Sequence, residues 1–104
     1  RRPWTPHVIE DRFEKYHDQA VGDVDGDGEP ELVVLSQKSR VLVYYDIPAD
    51  PRVSPWPREA SHVIAENFHA EGLLVVDIDG DGVNEIMAGT VIFRPPARPG
   101  RLAV

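Results

Sequence analysis

Short apolar runs alternate along the chain with segments rich in glycine, proline and aspartate. Two runs, Leu32 to Leu35 and Ile86 to Ala88, are almost continuously hydrophobic, as in a strand that is buried on both faces. A third, Arg40 to Ile47, is rich in β-branched and aromatic residues, which favour strands. We predict strands at 7–10, 19–23, 32–35, 40–47, 61–65, 73–77, 86–88 and 90–93, a hairpin turn at 37–39 and a further strand beginning at 102–104.

One acidic segment is repeated in register. DVDGDGEPELVVL, beginning at Asp23, returns 54 residues later as DIDGDGVNEIMAG, beginning at Asp77. Within each copy, carboxylates occupy positions 1, 3, 5 and 9, and glycines occupy positions 4 and 6. The acidic positions are Asp23, Asp25, Asp27 and Glu31 in the first copy, and Asp77, Asp79, Asp81 and Glu85 in the second.

This spacing predicts two calcium loops, at 23–31 and 77–85. Carboxylates placed so closely repel one another, and a cation that accepts six to eight oxygen ligands relieves the repulsion. The glycines allow positive φ, so that the carbonyl at position 7, from Glu29 or Val83, joins the side chains as a ligand. Magnesium fits less well because it requires a stricter octahedron and retains its water. An Asp/Gly-rich hairpin turn without metal is the alternative, and it is more plausible for one copy than for two.

An EF-hand begins with a similar motif but requires a bidentate glutamate at position 12 and a helix on each side. Position 12 is Val34 in the first copy and Ala88 in the second. The residues that follow each loop are also strand-like. The predicted sites therefore lie in turns between strands.

With its short apolar strands flanking D-x-D-x-D-G-x-x-E, the chain resembles the FG-GAP or VCBS-type repeats of calcium-binding β-propellers, such as integrin α-subunit propellers. Position 9 is more commonly Asp in that group, whereas both copies here carry Glu. The resemblance implies an all-β fold of four-stranded antiparallel propeller blades, about two in number, and hence a fragment or subunit of a larger propeller. The implied division is an outer strand of a preceding blade at 1–12, a complete blade at 13–65 and an incomplete blade at 66–104.

Composition limits the functions that are open to the chain. The net charge is −7, yet the two loops hold nine of the 18 acidic residues, so that 11 basic residues face nine acids elsewhere. No basic stripe of the kind that binds nucleic acid is present. No apolar run is long enough to span a membrane, and there is no cysteine. The chain begins at Arg1 without a methionine, as a processed or excised piece would.

Two further features suggest chemistry outside the loops. Trp4 and Trp56 precede similar segments, HVIE and HVIA; we expect such tryptophans to pack under a loop more often than to bind a ligand. The connections into the inner strands carry His17, Asp18, His69 and Glu71, which the resemblance places at one mouth of the propeller channel. A catalytic role for His17, His69 and Glu71 is one hypothesis, and polar residues that cap a turn are the favoured alternative.

The resemblance implies a calcium-stabilised segment of a secreted or cell-surface protein, extracellular or periplasmic, which binds carbohydrate or protein. Its partners would be further blades of the parent chain or identical subunits. The alternative is the propeller part of a sugar-converting enzyme, a polysaccharide lyase or sugar dehydratase, because fold alone does not decide activity. A stand-alone calcium sensor is disfavoured because no helix pair is available to open.

Overall fold

The structure, a computed structural model, describes residues 3–96. These residues form two antiparallel β-sheets, with a single turn of 3-10 helix at Arg58–Ala60 as their only helical segment. Strands β1 to β4 form the first sheet and β5 to β7 the second, each in chain order. The strands are β1 Tyr16–Gly22, β2 Glu31–Ser36, β3 Val41–Asp46, β4 Ser61–Ala65, β5 Leu73–Val76, β6 Glu85–Ala88 and β7 Val91–Phe93.

In each sheet the acidic segment connects the first strand to the second. Gly22 pairs with Glu31 in the first sheet, and Val76 pairs with Glu85 in the second. The first sheet is irregular at two places, where β1 carries an extra residue at His17 and β4 carries one at Ile64. Such bulges redirect the neighbouring side chains.

The main core lies between the two sheets. From the first sheet it contains Val33 and Leu35 on β2 and Leu42 on β3, and from the second Ile86 and Ala88 on β6, all buried. Partly buried aromatic and aliphatic side chains close its edges: Tyr44, Ile64, Ala65, Phe68, Ala70, Leu73, Val75 and Phe93. The two acidic segments are thus held on sheets that share one core.

A second cluster covers the opposite face of the first sheet. Val34, Val43 and Tyr45 lie under Trp56, whose ring meets that of Tyr45 edge to face at 6.1 Å. Ile9 packs on the same cluster, and its carbonyl accepts the N–H of Trp56 at 2.9 Å. Trp56 is the packing residue that the sequence predicts.

The strand predicted at 7–10 is wrong, because those residues have no regular structure. Instead, Glu10 anchors the segment to the first sheet: it accepts hydrogen bonds from Arg12 Nε at 2.9 Å and from the Tyr45 hydroxyl at 3.0 Å. Arg12 in turn donates to Ser61 Oγ at 2.9 Å. Trp4, the other tryptophan, is 96% exposed and packs under nothing in the described part of the chain.

The remaining strand predictions agree with the structure within a few residues. Strand β1 begins at Tyr16, earlier than predicted, so that His17 and Asp18 lie on a strand and not in a connection. The strand predicted to begin at 102–104 lies outside the described residues, and the division at 1–12, 13–65 and 66–104 stays a prediction. Within residues 3–96 no helix is long and apolar enough to cross a membrane.

Candidate metal-binding loops

The first acidic segment forms a tight loop around its own carboxylates. Asp23 accepts the N–H of Gly26 through Oδ1 at 2.7 Å and the N–H of Gly28 through Oδ2 at 2.9 Å. Both glycines have positive φ, 77° and 85°, as predicted, and this conformation turns their N–H groups inward. At the other end, Glu31 Oε1 accepts the N–H of Val24 at 2.8 Å.

The second segment repeats these hydrogen bonds at the equivalent positions. Asp77 accepts the N–H of Gly80 at 2.9 Å and that of Gly82 at 2.8 Å, and these glycines have φ of 76° and 89°. Glu85 Oε1 accepts the N–H of Ile78 at 3.0 Å. The repeated sequence therefore produces a repeated structure, in which these three hydrogen bonds recur at equivalent positions.

In each loop the four acidic side chains converge. One oxygen from each of Asp23, Asp25, Asp27 and Glu31 lies within 4.8 Å of the others, and the same holds for Asp77, Asp79, Asp81 and Glu85. Two oxygens on opposite sides of one calcium ion lie about 4.6 to 5.2 Å apart, twice the usual calcium–oxygen distance. Both groups therefore have the oxygen donors and the spacing to share one hard cation.

The glutamates are the buried members of the two groups, each only 1% exposed. Burial, followed by the charges of Asp25 and Asp27, raises the pKa of Glu31 to about 7 although the N–H of Val24 acts in the opposite direction. For Asp23 burial also acts upward, but the N–H donors of Gly28, Gly26 and Asp27 outweigh it and lower the pKa. A buried carboxylate beside two others favours a bound positive charge.

The residues at position 7, Glu29 and Val83, lie beside the two groups of carboxylates, but their side chains do not belong to them. The N–H of Glu29 donates to Asp27 Oδ1 at 2.8 Å, and that of Val83 donates to Asp81 Oδ1 at 2.9 Å. The Glu29 carboxylate is not among the converging oxygens. Metal ligation by the carbonyls of Glu29 and Val83 stays a prediction.

The two loops differ in their charged neighbours. Near the first, burial, Asp27 and then Asp46, at the end of β3, raise the pKa of Asp25. Asp46 Oδ2 also lies 2.7 Å from His62 Nε2. Beside the second, Arg94 donates from Nη1 to Asp79 Oδ2 at 2.9 Å. This hydrogen bond is the main cause of the lowered pKa of Asp79. The first group thus has a further carboxylate, that of Asp46, beside it, whereas the second has a cation attached.

Two contacts between the repeats were not predicted from the sequence. The Asn84 side chain, at position 8 of the second loop, donates from Nδ2 to the carbonyl of Asp23 at 3.0 Å. Gly22 packs so closely on β5 that an added Cβ would lie 2.6 Å from Val75 Cγ1. Each contact involves a position at which the two repeats differ. The first repeat has Pro30 where the second has Asn84, and it has Gly22 where the second has Val76. Those differences were the signal in the sequence.

The candidate catalytic residues are brought together only in part. His17 Nδ1 lies 2.9 Å from Asp18 Oδ2, and His17 Nε2 lies 3.8 Å from Glu71 Oε1. Asp18 also accepts the N–H of Gly72 at 2.9 Å; the His17 contact and then this bond lower its pKa. No hydrogen bond or ion pair in the described part of the chain joins His69, which is exposed, to this group.

Comparison with known proteins gives one match. A family model described as FG-GAP-like repeat matches residues 23–88, from the first residue of the first loop to the last residue of β6. No curated protein and no solved structure matches the chain. The match covers more than half of the 104 residues and includes both D-x-D-x-D-G-x-x-E loops. The chain therefore belongs to the family of FG-GAP-like repeats.

Proposed function

We propose that this chain is a calcium-stabilised segment of a β-propeller, in which each loop binds one calcium ion and ties the first strand of a blade to the second. The observation that carries the proposal is the duplicated cluster of four carboxylate oxygens within 4.8 Å of one another. Calcium, when bound, supplies the positive charge that the buried glutamates and their aspartate neighbours require. The loop N–H groups hold Asp23 and Asp77 in place.

The packing of the sheets supports a propeller. The face of the second sheet that meets the first carries Ile86 and Ala88. The residues 54 positions earlier, Leu32 and Val34, lie on the face of the first sheet that points away from the second. The repeats are therefore stacked head to tail, as successive blades are, and not face to face as in a two-fold symmetric sandwich.

Head-to-tail stacking leaves one face of the second sheet for a further repeat. Leu74, Met87 and Ile92 form a row across that face, and Leu74 and Ile92 are 53% and 48% exposed. Met87 corresponds to Val33, which the second sheet buries completely. Further blades of the parent chain, or identical subunits, would cover this row and complete a ring of about 4 to 8 blades.

We place the parent protein outside the cell or in the periplasm, where it serves as a scaffold that binds carbohydrate or protein. FG-GAP repeats are typical of extracellular proteins, and millimolar calcium in such compartments suits sites of low affinity, with dissociation constants of about 10⁻⁴ to 10⁻³ M. The loops between the strands would carry the binding surface, as loops on rigid scaffolds commonly do.

Thermal unfolding tests the calcium proposal. The chain is heated in calcium, in magnesium and in a chelator, with its mass in solution measured by light scattering. We expect calcium to raise the melting temperature more than magnesium does, because a ligand that binds only the folded state stabilises it. A control with Asp23→Asn and Asp77→Asn should not respond. Equal melting temperatures in calcium and chelator would contradict the proposal, and a ring-sized mass would support assembly from identical subunits.

The group around His17 favours one second candidate, the propeller part of a sugar-converting enzyme, a lyase or dehydratase. His17 lies between two carboxylates, Asp18 and Glu71, an arrangement suited to moving a proton. Gln37 holds Glu71 from the first sheet by donating from Nε2 at 3.1 Å. Because Glu71 and Gly72 belong to the second repeat, the group joins the two repeats where their inner strands begin.

The enzyme candidate is tested in the parent protein by following sugar cleavage or dehydration. We expect His17→Ala and Glu71→Gln to abolish turnover, whereas His69→Ala, which alters a residue outside the group, should retain it. Turnover that survives His17→Ala would leave the group with a structural role, as the cap of a turn between the repeats.

A further inference from the structure

Asn84 is a residue of the second loop whose side chain acts on the first loop. It stands between Val83, at position 7, and Glu85, at position 9, and its Nδ2 donates to the backbone carbonyl of Asp23 at 3.0 Å. Asp23 is position 1 of the first loop, and its carboxylate already accepts two loop N–H groups. One partly buried amide therefore connects the two candidate metal groups through the backbone.

The contact is one part of a close junction between the loops. Gly22, immediately before Asp23, lies against Val75 so tightly that a Cβ there would meet Val75 Cγ1 at 2.6 Å, and Asn84 Nδ2 is the next neighbouring side-chain group at 3.9 Å. Val24, immediately after Asp23, is buried in the same core as Ile86. The beginning of the first loop is thus packed on three residues of the second repeat.

The first loop has no asparagine at the equivalent position. Its position 8 is Pro30, which has neither an amide side chain nor a backbone N–H. The junction is therefore directional: the second loop positions the first. Because the repeats stack head to tail, an Asn at position 8 contacts the loop of the preceding repeat, and of these two loops the second carries one.

We propose that Asn84 is a positioning residue that couples calcium binding at the two loops. This inference rests on the proposed function, since it requires that both loops bind calcium. A cation in the second loop fixes the backbone from Val83 to Glu85 and thereby holds the Asn84 amide against the Asp23 carbonyl. The first loop then loses less conformational freedom when it binds, which raises its affinity. Coupling is reciprocal, so the first loop raises the affinity of the second by the same factor.

The test is a double-mutant cycle on the full chain, with calcium alone as the ligand. Binding at each loop is followed separately by the amide resonances of Gly26 and Gly28 for the first loop and of Gly80 and Gly82 for the second, because these N–H groups face Asp23 and Asp77. The second loop is disabled by Asp79→Asn with Asp81→Asn, in the native background and in Asn84→Ala. Asn84→Leu, which keeps the bulk without the donor, replaces Asn84→Ala if that variant does not fold.

We expect that disabling the second loop weakens calcium binding at the first about 3- to 10-fold in the native background, the range of one hydrogen bond, and leaves it unchanged in the Asn84 variant. An equal loss in both backgrounds would overturn the proposal, since coupling would then bypass Asn84. No loss in either would overturn it as well, because the loops would be independent. If no glycine resonance of the native chain responds to calcium, the proposed function itself fails; that result is distinct from the other two.

Discussion

The two repeats carry the same loop in different surroundings. In the second, Arg94 is hydrogen-bonded to Asp79 and lowers its pKa. In the first, burial and then the nearby Asp27 and Asp46 carboxylates raise the pKa of the equivalent residue, Asp25. The nine-residue pattern thus sets the geometry of the oxygens, whereas residues outside it set their electrostatic environment. The loops should differ in how strongly they depend on a cation.

The largest expected difference between the repeats is the stability that Glu10 contributes by its contacts with Arg12 and Tyr45 on the first sheet. The described part of the second sheet has no equivalent group. Arg12 and Tyr45 hold the pKa of Glu10 at about 2, against an ordinary value of 4.5, with burial acting upward. A lowered pKa contributes stability that is present above pH 4.5 and is lost as the pH falls towards 2. The difference between the two pKa values corresponds to roughly 3 kcal/mol in the free energy of unfolding.

Acid unfolding followed by circular dichroism in chelator checks this expectation. The native chain should lose stability more steeply between pH 4.5 and 2 than Glu10→Gln does. Glu59→Gln, which removes an acid from the 3-10 turn before β4, is the matched control and should keep the native slope. Identical slopes for the native chain and Glu10→Gln would show that the anchor does not stabilise the fold.

The next largest difference concerns Asp25, the carboxylate of the first loop that lies near Asp27 and Asp46. We expect Asp25→Asn to have opposite effects with and without calcium. In calcium at 100 times the dissociation constant, loss of the site removes about 2.7 kcal/mol of stabilisation. In chelator the same change should raise the melting temperature, because it removes a charge that Asp27 and Asp46 repel.

Asp79→Asn should remove calcium stabilisation likewise but should not raise the melting temperature in chelator, since it breaks the contact with Arg94. Asp11→Asn, outside both loops, is the charge-matched control. Scanning calorimetry of each variant in calcium and in chelator measures these melting temperatures. The comparison between the loops fails if the two variants behave alike in chelator.

The junction between the repeats gives a smaller effect. Gly22 approaches β5 too closely for a Cβ, whereas Val76, at the same place in the second repeat, carries a full side chain. Gly22→Ala should therefore destabilise the chain by roughly 1 to 3 kcal/mol through overpacking. Denaturant unfolding measures this, with Val76→Ala as the control at the equivalent position. Adding Val75→Ala should recover part of the loss, and a Gly22→Ala chain as stable as the native one would place the repeats further apart than the structure does.

The sequence predicts what is local and repeated, and little of what joins the repeats. The apolar runs predict β2, which is buried on both faces, and β6, which buries Ile86 and Ala88 against the first sheet. The register of acids and glycines predicts which carboxylates converge. His7 to Glu10 has the composition of a strand but forms none, because Ile9 and Glu10 make tertiary contacts with Trp56 and Tyr45 instead. Contacts such as that of Asn84 with Asp23 depend on how the sheets stack, which no single repeat encodes.

Arg94 gives the smallest effect and the most direct test of the difference between the loops. Its guanidinium bonds one carboxylate oxygen of Asp79 and offsets negative charge that would attract calcium, so Arg94→Gln should tighten calcium binding at the second loop by about 2- to 5-fold, the range of an exposed ion pair. The gain should shrink at high salt, which screens such pairs. Titration followed at Gly80 and Gly82 measures it, while Gly26 and Gly28 report the first loop, which should be less affected. Arg52→Gln removes the same charge from an exposed pair with Asp50 and should change neither loop. If Arg94→Gln weakens the second loop instead, Arg94 supports the geometry of that loop, and the loops differ in rigidity more than in charge.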